Sequence, residues 1–233
     1  MMKRSLEKEM MDHAGNPADL LEGDLANLRL LNRLLGGHRA ALTGLRRVVA
    51  PREAPGVSLL DVGTGSADIP AAIVRWARRQ GLSVRVVAVE ADPVSVAVAR
   101  RLTRNLPEIS VLQADARDLP FKPASFDFVF CSQLLHHFSE GEIPPLLKKW
   151  SALARRAILV SDLVRHPVAY AGIRLLTLLF TRNEMTRADA PLSVRRSFTI
   201  PEWRELLRQA AIGELCLWPV FPFRLLALFR LRG

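Results

Sequence analysis

The opening part of the chain has the hydrophobic pattern of two amphipathic helices. Over Asp19–Leu35, leucines recur at intervals of three and four residues, which is the spacing of one helix face, and a glycine pair follows. A second helix is predicted over His38–Val49, closed by Pro51. Together these segments predict an N-terminal helical cap over residues 1–56.

From Val57 onward, short apolar runs alternate with helical segments. Continuous apolar runs are typical of strands that are buried on both faces. The predicted strands are Val57–Val62, Val84–Val89, Ser110–Leu112, Phe126–Phe130 and Ala157–Ser161, and the predicted helices between them are Ile69–Gln80, Pro93–Leu106 and Ile143–Leu153. Because such alternation implies right-handed crossover connections, we predict an α/β fold with a parallel sheet.

The last part of the chain departs from this alternation. An insertion over about 164–212 follows the fifth strand and is too long for a bare loop, so we expect a helical lid. It is predicted to contain an apolar helix over Val168–Phe180, a polar loop to Ser197 and a helix over Pro201–Ala211. Two apolar runs within Glu214–Phe229 predict an antiparallel hairpin, which would give seven strands in a mostly parallel sheet.

The composition fits one globular domain, predicted over residues 57–233 behind the cap. The chain has 233 residues, of which 49% are hydrophobic and 24% are charged. Cys131 and Cys216 lack CxxC spacing, so we expect neither a disulfide framework nor a metal, and a reducing cytoplasm fits best. The start has no apolar stretch of the kind found in secretory signals, and no run reaches the roughly 20 apolar residues of a membrane span.

The net charge of +10 is the strongest bias in the composition. It invites a nucleic-acid partner, but the arginines are spread along the chain, and the single tyrosine, Tyr170, leaves few aromatics between them. We therefore predict solvated helix faces and no nucleic-acid partner. Attraction to an anionic membrane surface or to an acidic partner is the alternative.

The first segment that indicates chemistry is a glycine turn after the first strand. Gly63 and Gly65 let the backbone approach a nucleotide closely at the start of a helix. A dinucleotide site would have a third glycine where Asp68 stands, and a carboxylate there would repel a pyrophosphate. With Asp61 before the turn and Asp68 after it, the segment suits a cationic ligand, such as the sulfonium and amino group of S-adenosylmethionine.

Further polar residues follow the next three strands. Glu90, at the end of the second strand, can accept both ribose hydroxyls of a nucleoside, and Asp92 is expected to cap the next helix. Asp115, after the third strand, would lie near the adenine amino group, with a turn-forming role as the alternative. The fourth strand runs directly into a loop that contains His136 and His137.

In order and spacing, these four segments resemble motifs one to four of the class I S-adenosylmethionine-dependent methyltransferases. The resemblance covers Val57–Asp162 and is nearest to the group of the ubiquinone and menaquinone methyltransferases, which have the leucine-histidine-histidine turn after strand four. It implies a Rossmann-like fold with S-adenosylmethionine as methyl donor. The cofactor residues that it implies are Asp61, Gly63, Gly65, Glu90, Asp115, Ala116 and Ser132.

The chain departs from the family pattern at two places. Ala67 replaces the third glycine of the first motif and adds one methyl group near the expected cofactor. The glycine pair that usually precedes strand five is absent, and the residues there are Ala154, Arg155, Arg156 and Ala157. The second difference separates this chain from the quinone methyltransferases themselves.

Methyl transfer requires an aligned nucleophile and, where the nucleophile carries a proton, a base. His136 and His137 follow the strand that lies beside the methyl donor in this fold, so either can act as the base; the alternative is that they only pack or bind the backbone. His166 is a second candidate base. Arg195 and Arg196 can clamp an anionic group, but solvated loop charges are the favoured interpretation.

We predict a methyltransferase that acts on a small apolar or aromatic metabolite, with O-methylation of a phenol or hydroxyl favoured. The apolar substrate is inferred from the helix over Val168–Phe180, from Trp203 and from Trp218–Phe229. The alternatives are C-methylation of a phenol or quinol precursor and a catalytically silent cofactor-binding module. A nucleic-acid methyltransferase is disfavoured because residues 131–134 lack the Asn/Asp-Pro-Pro-aromatic motif for a flipped base.

Overall fold

The structure is a computed structural model that describes residues 2–13, 15–50 and 56–231. The helices are α1 (Ala18–Leu34), α2 (Gly37–Arg46), α3 (Asp68–Arg79), α4 (Pro93–Thr103), α5 (Ile143–Leu153), α6 (Pro167–Phe180), α7 (Glu184–Arg196) and α8 (Ile200–Gln209). The strands are β1 (Val57–Val62), β2 (Val84–Glu90), β3 (Ile109–Gln113), β4 (Phe126–Ser132), β5 (Ala154–Leu163), β6 (Glu214–Val220) and β7 (Arg224–Arg230). Short 3₁₀ turns lie at Met10–Asp12 and Leu135–His137.

The seven strands form a single sheet in the order β3-β2-β1-β4-β5-β7-β6. Strands β1 to β5 are parallel to one another, whereas β7 runs antiparallel to both β5 and β6. This confirms the predicted mostly parallel sheet with an antiparallel hairpin at one edge. The strand order reverses between β1 and β4, and ligands of open α/β sheets bind in the crevice at such a point.

Helices cover both faces of the sheet, which explains why the central strands are apolar throughout. In β4, Phe128 and Phe130 pack on one face with α2 and α3, and Val129 and Cys131 pack on the other with α5 and α8. All four side chains are buried. A strand with such a pattern has no solvent side, so its polar residues are confined to its ends.

The polar segment that was predicted to be a loop is instead α7, so this prediction is wrong. Asn183 caps the helix by accepting a hydrogen bond from the Thr186 N–H at 2.9 Å. The helix contains Pro191, which cannot donate to the preceding turn, and its polar sequence hides a buried side formed by Met185 and Val194. Tertiary packing against α1 and α6 therefore decides its conformation.

The predicted N-terminal cap contains two helices, and α2 ends at Arg46. Its predicted closure at Pro51, like most of the boundary with the next domain, lies outside the described residues. Arg224 of β7 fixes the cap to the sheet, because its guanidinium donates to the Leu35 carbonyl at 2.7 Å and to Asn32 Oδ1 at 3.2 Å. Among the described residues, no helix is both long and apolar enough to cross a membrane.

Candidate active site

A cavity of about 590 Å³ lies at the carboxyl ends of the parallel strands. Its walls include all the predicted cofactor residues and two of the three candidate bases, namely Asp61, Gly63, Gly65, Asp68, Glu90, Asp115, Ala116, Ser132, His136 and His137. Helices α1 and α7 and the N-terminal segment, residues 2–13, also contribute to the walls. The predicted residues therefore share one crevice of the size that small-molecule sites have.

The glycine turn forms the floor of the cavity below the tip of β1. Gly63 and Gly65 have φ values of +70° and +55°, which favour glycine. A Cβ on Gly63 would lie 2.7 Å from the Leu134 side chain, whereas a Cβ on Gly65 would meet only Leu25, at 3.8 Å. Since Leu25 also lines the cavity, the space beside Gly65 is open to a ligand.

Glu90 lies at the tip of β2 with its carboxylate held against the glycine turn. Its Oε2 accepts a hydrogen bond from the Gly65 N–H at 2.8 Å, and its Oε1 accepts from the Ala91 and Asp92 N–H groups at 2.8 and 3.2 Å. Asp92 caps α4, as predicted, by accepting from the Ser95 N–H at 2.6 Å. The backbone N–H groups thus hold the Glu90 carboxylate at the cavity, whereas Asp92 caps α4.

The two carboxylates around the glycine turn have different surroundings. Asp61 is buried, and its burial, together with the nearby charges of Asp68 and Glu90, raises its pKa to about 7. Asp68 is engaged by the cap, with its Oδ2 2.8 Å from His38 Nε2 and 3.3 Å from Asn32 Nδ2. A cationic ligand beside Asp61 would favour its ionised form, so this carboxyl group suits a positive charge.

The remaining predicted cofactor residues lie at the tips of β3 and β4. Asp115 is exposed at the rim, and its Oδ1 accepts from the Arg117 N–H at 2.7 Å, as the turn-forming alternative expects. The Ala116 carbonyl accepts from the Trp150 indole at 2.9 Å. Ser132 Oγ is buried and has no hydrogen-bond partner among the described residues, so it is free to bind a ligand in the cavity.

His136 is buried between two carboxylates at the other end of the cavity. Its Nδ1 is 2.6 Å from Asp162 Oδ1, and its Nε2 is 3.5 Å from Glu9 Oε1. Burial alone would lower the pKa of His136, but the two carboxylates outweigh it and raise the pKa to about 9. In this state His136 carries a proton at neutral pH, which is unfavourable for the predicted role as a base.

His137 packs against His136, with ring centroids 4.4 Å apart, and is less buried. Its Nδ1 is 2.9 Å from Asp12 Oδ1, and its Nε2 is 3.8 Å from Glu9 Oε2. Glu9 is itself buried, yet its pKa is lowered, because the two histidines outweigh the burial. We call Glu9, Asp12, His136, His137 and Asp162 the histidine–carboxylate cluster.

Sequence reasoning missed the three carboxylates of this cluster. Asp162 carries a signal, since it is an ionisable residue at the end of the apolar strand β5 and is fully buried. Glu9 and Asp12 carry none, because the polar N-terminal segment shows no pattern that places it over the sheet. Only the folded chain brings Asp12 to His137, across 125 positions of sequence.

Arg196 is not the solvated loop charge that was favoured. Its side chain is buried and donates to the carbonyl oxygens of Glu7, His136 and His137, so it fixes the N-terminal segment to the histidine turn. Arg195, by contrast, is partly exposed. The third candidate base, His166, caps α6 and lies outside the cavity wall that the described residues form.

The residues that suggested an apolar substrate lie elsewhere in the fold. Trp203 is a core residue whose indole donates to the Leu163 carbonyl at 2.9 Å, and most of β7 is buried in the sheet. Helix α6 has only Thr177 buried and turns its apolar side chains to the surface. Among the described residues, none of these contributes to the cavity wall, so the inference from them was wrong.

Comparison with known proteins agrees with this geometry. Residues 59–157 match a methyltransferase domain family. A ubiquinone/menaquinone biosynthesis C-methyltransferase of Rhizobium etli is 33% identical over 156 residues, which are 66% of this chain and 54% of that protein. Two such relatives are matched over only 36% and 54% of their own length, so the chain spans between a third and about half of them.

Two solved structures show the same fold. A S-adenosylmethionine-dependent methyltransferase from Aquifex aeolicus superposes with a TM-score of 0.64 at 17% identity, over 89% of this chain and 97% of that one. Human N-acetylserotonin methyltransferase, solved with S-adenosylmethionine, superposes with a TM-score of 0.66 at 16% identity. The match covers 98% of this chain and 64% of the human protein. The chain therefore has the fold of these S-adenosylmethionine-dependent methyltransferases. Its sequence is similar to the ubiquinone/menaquinone C-methyltransferases and to a methyltransferase domain, which confirms the predicted resemblance to class I S-adenosylmethionine-dependent methyltransferases.

Proposed function

We propose that this protein transfers a methyl group from S-adenosylmethionine to a small-molecule acceptor. The observation that carries the proposal is the meeting of Asp61, Gly65 and Glu90 in one cavity at the point where the strand order reverses. When bound there, S-adenosylmethionine supplies a methyl group activated by a sulfonium. The buried carboxyl of Asp61, the unpartnered Ser132 hydroxyl and the open space at Gly65 fit a cationic nucleoside.

The residues have distinct roles in this proposal. Asp61 and Asp68 provide negative charge for the amino and sulfonium groups, and Glu90 accepts from the ribose hydroxyls. Because Gly63 and Gly65 have no side chains, the backbone of the turn can come close to the bound S-adenosylmethionine. The adenine is bound at the rim, where Asp115 and Ala116 line the cavity next to Ser132. The chain's contribution to rate is then mainly the alignment of donor and acceptor.

The acceptor is proposed to bind under the N-terminal segment and α7, which act as the lid. Met11, Leu28 and Phe138 give this end of the cavity apolar walls, and the histidine–carboxylate cluster gives it a polar end. Such a pocket suits a small aromatic or apolar molecule with an oxygen at one end, so O-methylation of a phenol or hydroxyl stays the favoured reaction. Similarity to C-methyltransferases favours carbon methylation of a phenol or quinol as the second candidate.

The removal of a proton by His136 or His137 stays a prediction. The raised pKa of His136 opposes that role, and His137 is the more accessible of the two rings. Either histidine can still position the acceptor oxygen through the cluster.

The cofactor proposal is tested by calorimetry with S-adenosylhomocysteine. We expect saturable binding, and at least tenfold weaker binding in Glu90→Ala. Glu108→Ala is the matched control, because Glu108 pairs with Arg78 on the surface and does not line the cavity. Equal affinity of the two variants would refute the ribose role of Glu90, and absence of binding by the wild type would refute the proposal.

The reaction is tested by supplying labelled S-adenosylmethionine with a panel of phenols and quinols and locating the label by NMR. Label on oxygen supports the favoured reaction, and label on ring carbon supports the second candidate. Binding of S-adenosylhomocysteine without methyl transfer to any acceptor would favour the catalytically silent cofactor-binding module. Salt-dependent retention on DNA or RNA would revive the nucleic-acid alternative.

We also propose that a cytoplasmic chain meets its acceptor at an anionic membrane surface through α6. Leu175, Leu179 and Phe180 are 59%, 68% and 78% exposed, and Arg174 and Arg182 are exposed beside them. A helix with such a side next to arginines, in a chain of net charge +10, suits the headgroup region of anionic lipids.

Co-sedimentation with phosphatidylcholine vesicles, with and without phosphatidylglycerol, tests this contact. We expect binding that needs the anionic lipid and is lost in Leu179→Glu. Leu102→Glu is the control, since Leu102 is an exposed leucine on α4. Equal binding of both variants, or no binding to anionic vesicles, would contradict the proposal.

A further inference from the structure

Three potential metal ligands meet in the wall of the cavity. Glu9, His136 and His137 each offer a ligand atom, and these atoms lie within 4.8 Å of one another. The Glu9 carboxylate faces both rings, with Oε1 3.5 Å from His136 Nε2 and Oε2 3.8 Å from His137 Nε2. Two histidines and one carboxylate are a common ligand set for divalent transition metals.

The outer contacts orient both rings as metal-bound histidines are oriented. His136 Nδ1 is 2.6 Å from Asp162, and His137 Nδ1 is 2.9 Å from Asp12. When each Nδ1–H donates to a carboxylate, the Nε2 atom is left to face Glu9 and the cavity. Metal-ligating histidines almost always make this second contact, because it fixes the tautomer and makes the ring a better ligand.

Two of the inner atoms are buried and make no hydrogen bond among the described residues, although they face each other at 3.5 Å. Within the part of the chain that the structure describes, Glu9 Oε1 and His136 Nε2 have no hydrogen-bond partner, and both residues are 1% exposed. Buried polar atoms are seldom left unsatisfied, so a missing ligand is the simplest explanation of this pair.

The charges around the cluster favour a cation. The Glu9 N–H donates to Asp12 Oδ2 at 3.2 Å, and Asp162 Oδ1 lies 2.6 Å from His136 Nδ1. Asp189 adds a further carboxylate, which accepts from the N–H groups of Met10 and Met11, next to Glu9 in sequence. Arg196 is the competing cation, with its Nε 3.8 Å from Glu9 Oε1. Its guanidinium donates mainly to backbone carbonyls and lies 3.4 Å from Asp12 Oδ2, so most of its donors are engaged away from Glu9.

We propose that Glu9, His136 and His137 bind one divalent transition-metal ion, with Asp162 and Asp12 as outer partners. This differs from the expectation of no metal, which rested on cysteine spacing alone. Three protein ligands leave positions open toward the cavity, where water or an oxygen of the acceptor can bind. The metal proposal rests on the cluster and does not depend on methyl transfer.

To test the site, the 233-residue protein is first treated with a chelator. It is then titrated with Zn²⁺ in a calorimeter and, in a separate experiment, with Co²⁺ while the visible absorption is recorded. We expect one ion per chain, and at least 100-fold weaker Zn²⁺ binding in Glu9→Gln and in His137→Asn. His166→Ala is the matched control and should bind as the wild type does, since it removes an exposed histidine that caps α6. Thermal unfolding verifies that each variant is folded.

Asp12→Asn keeps all three ligands and separates a metal site from a structural role. Loss of an outer partner should weaken Zn²⁺ binding about 10- to 100-fold. Wild-type affinity in Glu9→Gln or Asp12→Asn, or no saturable binding of one ion, would overturn the proposal and leave the cluster as an ion-pair network. Calorimetry with S-adenosylhomocysteine on the same proteins reports separately on the cofactor site.

Discussion

The two ends of the cavity are built in different ways. The end around Asp61, Gly65 and Glu90, where the nucleoside is proposed to bind, is called the nucleoside end. It is made by strand tips and backbone, with Glu90 held by N–H groups of its own turn and of the glycine turn. The end at the histidine–carboxylate cluster, where the acceptor is proposed to bind, is called the acceptor end. It is made by side chains from distant parts of the chain, with Glu9 contacting His136 and His136 contacting Asp162. Local geometry therefore determines one end, and long-range charge pairing determines the other.

Their electrostatics differ accordingly. At the nucleoside end, burial of Asp61 and the nearby charges of Asp68 and Glu90 raise the pKa of Asp61. At the acceptor end the carboxylates are balanced within the protein by His136, His137 and Arg196. Positive charge at the first end is thus expected to come from the ligand, whereas at the second end it comes from the two histidines and Arg196, with the proposed metal ion as a further cation.

The largest expected effect comes from breaking the acceptor end. Asp162 is fully buried and accepts from His136 and from the N–H groups of Leu135 and Leu163. Asp162→Ala removes the closer of the two carboxylates that pair with the buried His136, so we expect a loss of about 3–5 kcal/mol in the free energy of unfolding, measured with denaturant. Glu108→Ala should leave the unfolding free energy nearly unchanged, and similar losses in both variants would contradict the comparison.

The pH dependence of stability tests the same end. The pKa of His136 is raised from 6.5 to about 9, so its contribution is fully present below pH 6.5 and is lost as the pH rises through 9. In chelator-treated protein we expect the unfolding free energy to fall by about 3 kcal/mol over this window, because each pKa unit is worth about 1.4 kcal/mol. The fall should be absent in His136→Gln, and an equal fall there would assign it to other groups.

A matched pair of glycine variants tests the nucleoside end. Gly65 and Gly81 both have positive φ, +55° and +66°, so an added Cβ strains both backbones alike. Only at Gly65 does the Cβ approach a cavity residue, Leu25. We expect Gly65→Ala to weaken S-adenosylhomocysteine binding about tenfold, or about 1.4 kcal/mol, and Gly81→Ala to leave it unchanged. Equal affinities would place the nucleoside away from this turn.

The smallest expected effect concerns the departure from the family pattern at Ala67. This residue is buried with φ of +59° and caps α3, so it holds a left-handed conformation that costs an alanine roughly 1 kcal/mol. Ala67→Gly should raise the unfolding free energy by about that amount. Because Ala67 does not line the cavity, S-adenosylhomocysteine affinity should stay constant. A change in affinity would show that the methyl group contacts the cofactor after all.

The order of strands and helices could be predicted because each buried strand has its own apolar run. The strand tips followed from that order, since parallel strands bring their carboxyl ends to one edge, and so Asp61, Glu90 and Asp115 were expected together. Helix α7 could not be predicted, because its polar sequence and Pro191 favour a loop until α1 and α6 pack against it.

By itself, then, the sequence determined the sheet, the glycine turn and the acids at the nucleoside end, because these depend on backbone rules that act within a few residues. Only the tertiary structure decided that the N-terminal segment covers the sheet and that Glu9 and Asp12 meet the two histidines. The physical reason is that charged side chains far apart in sequence leave no local pattern. Their pairing arises only when folding removes them together from water.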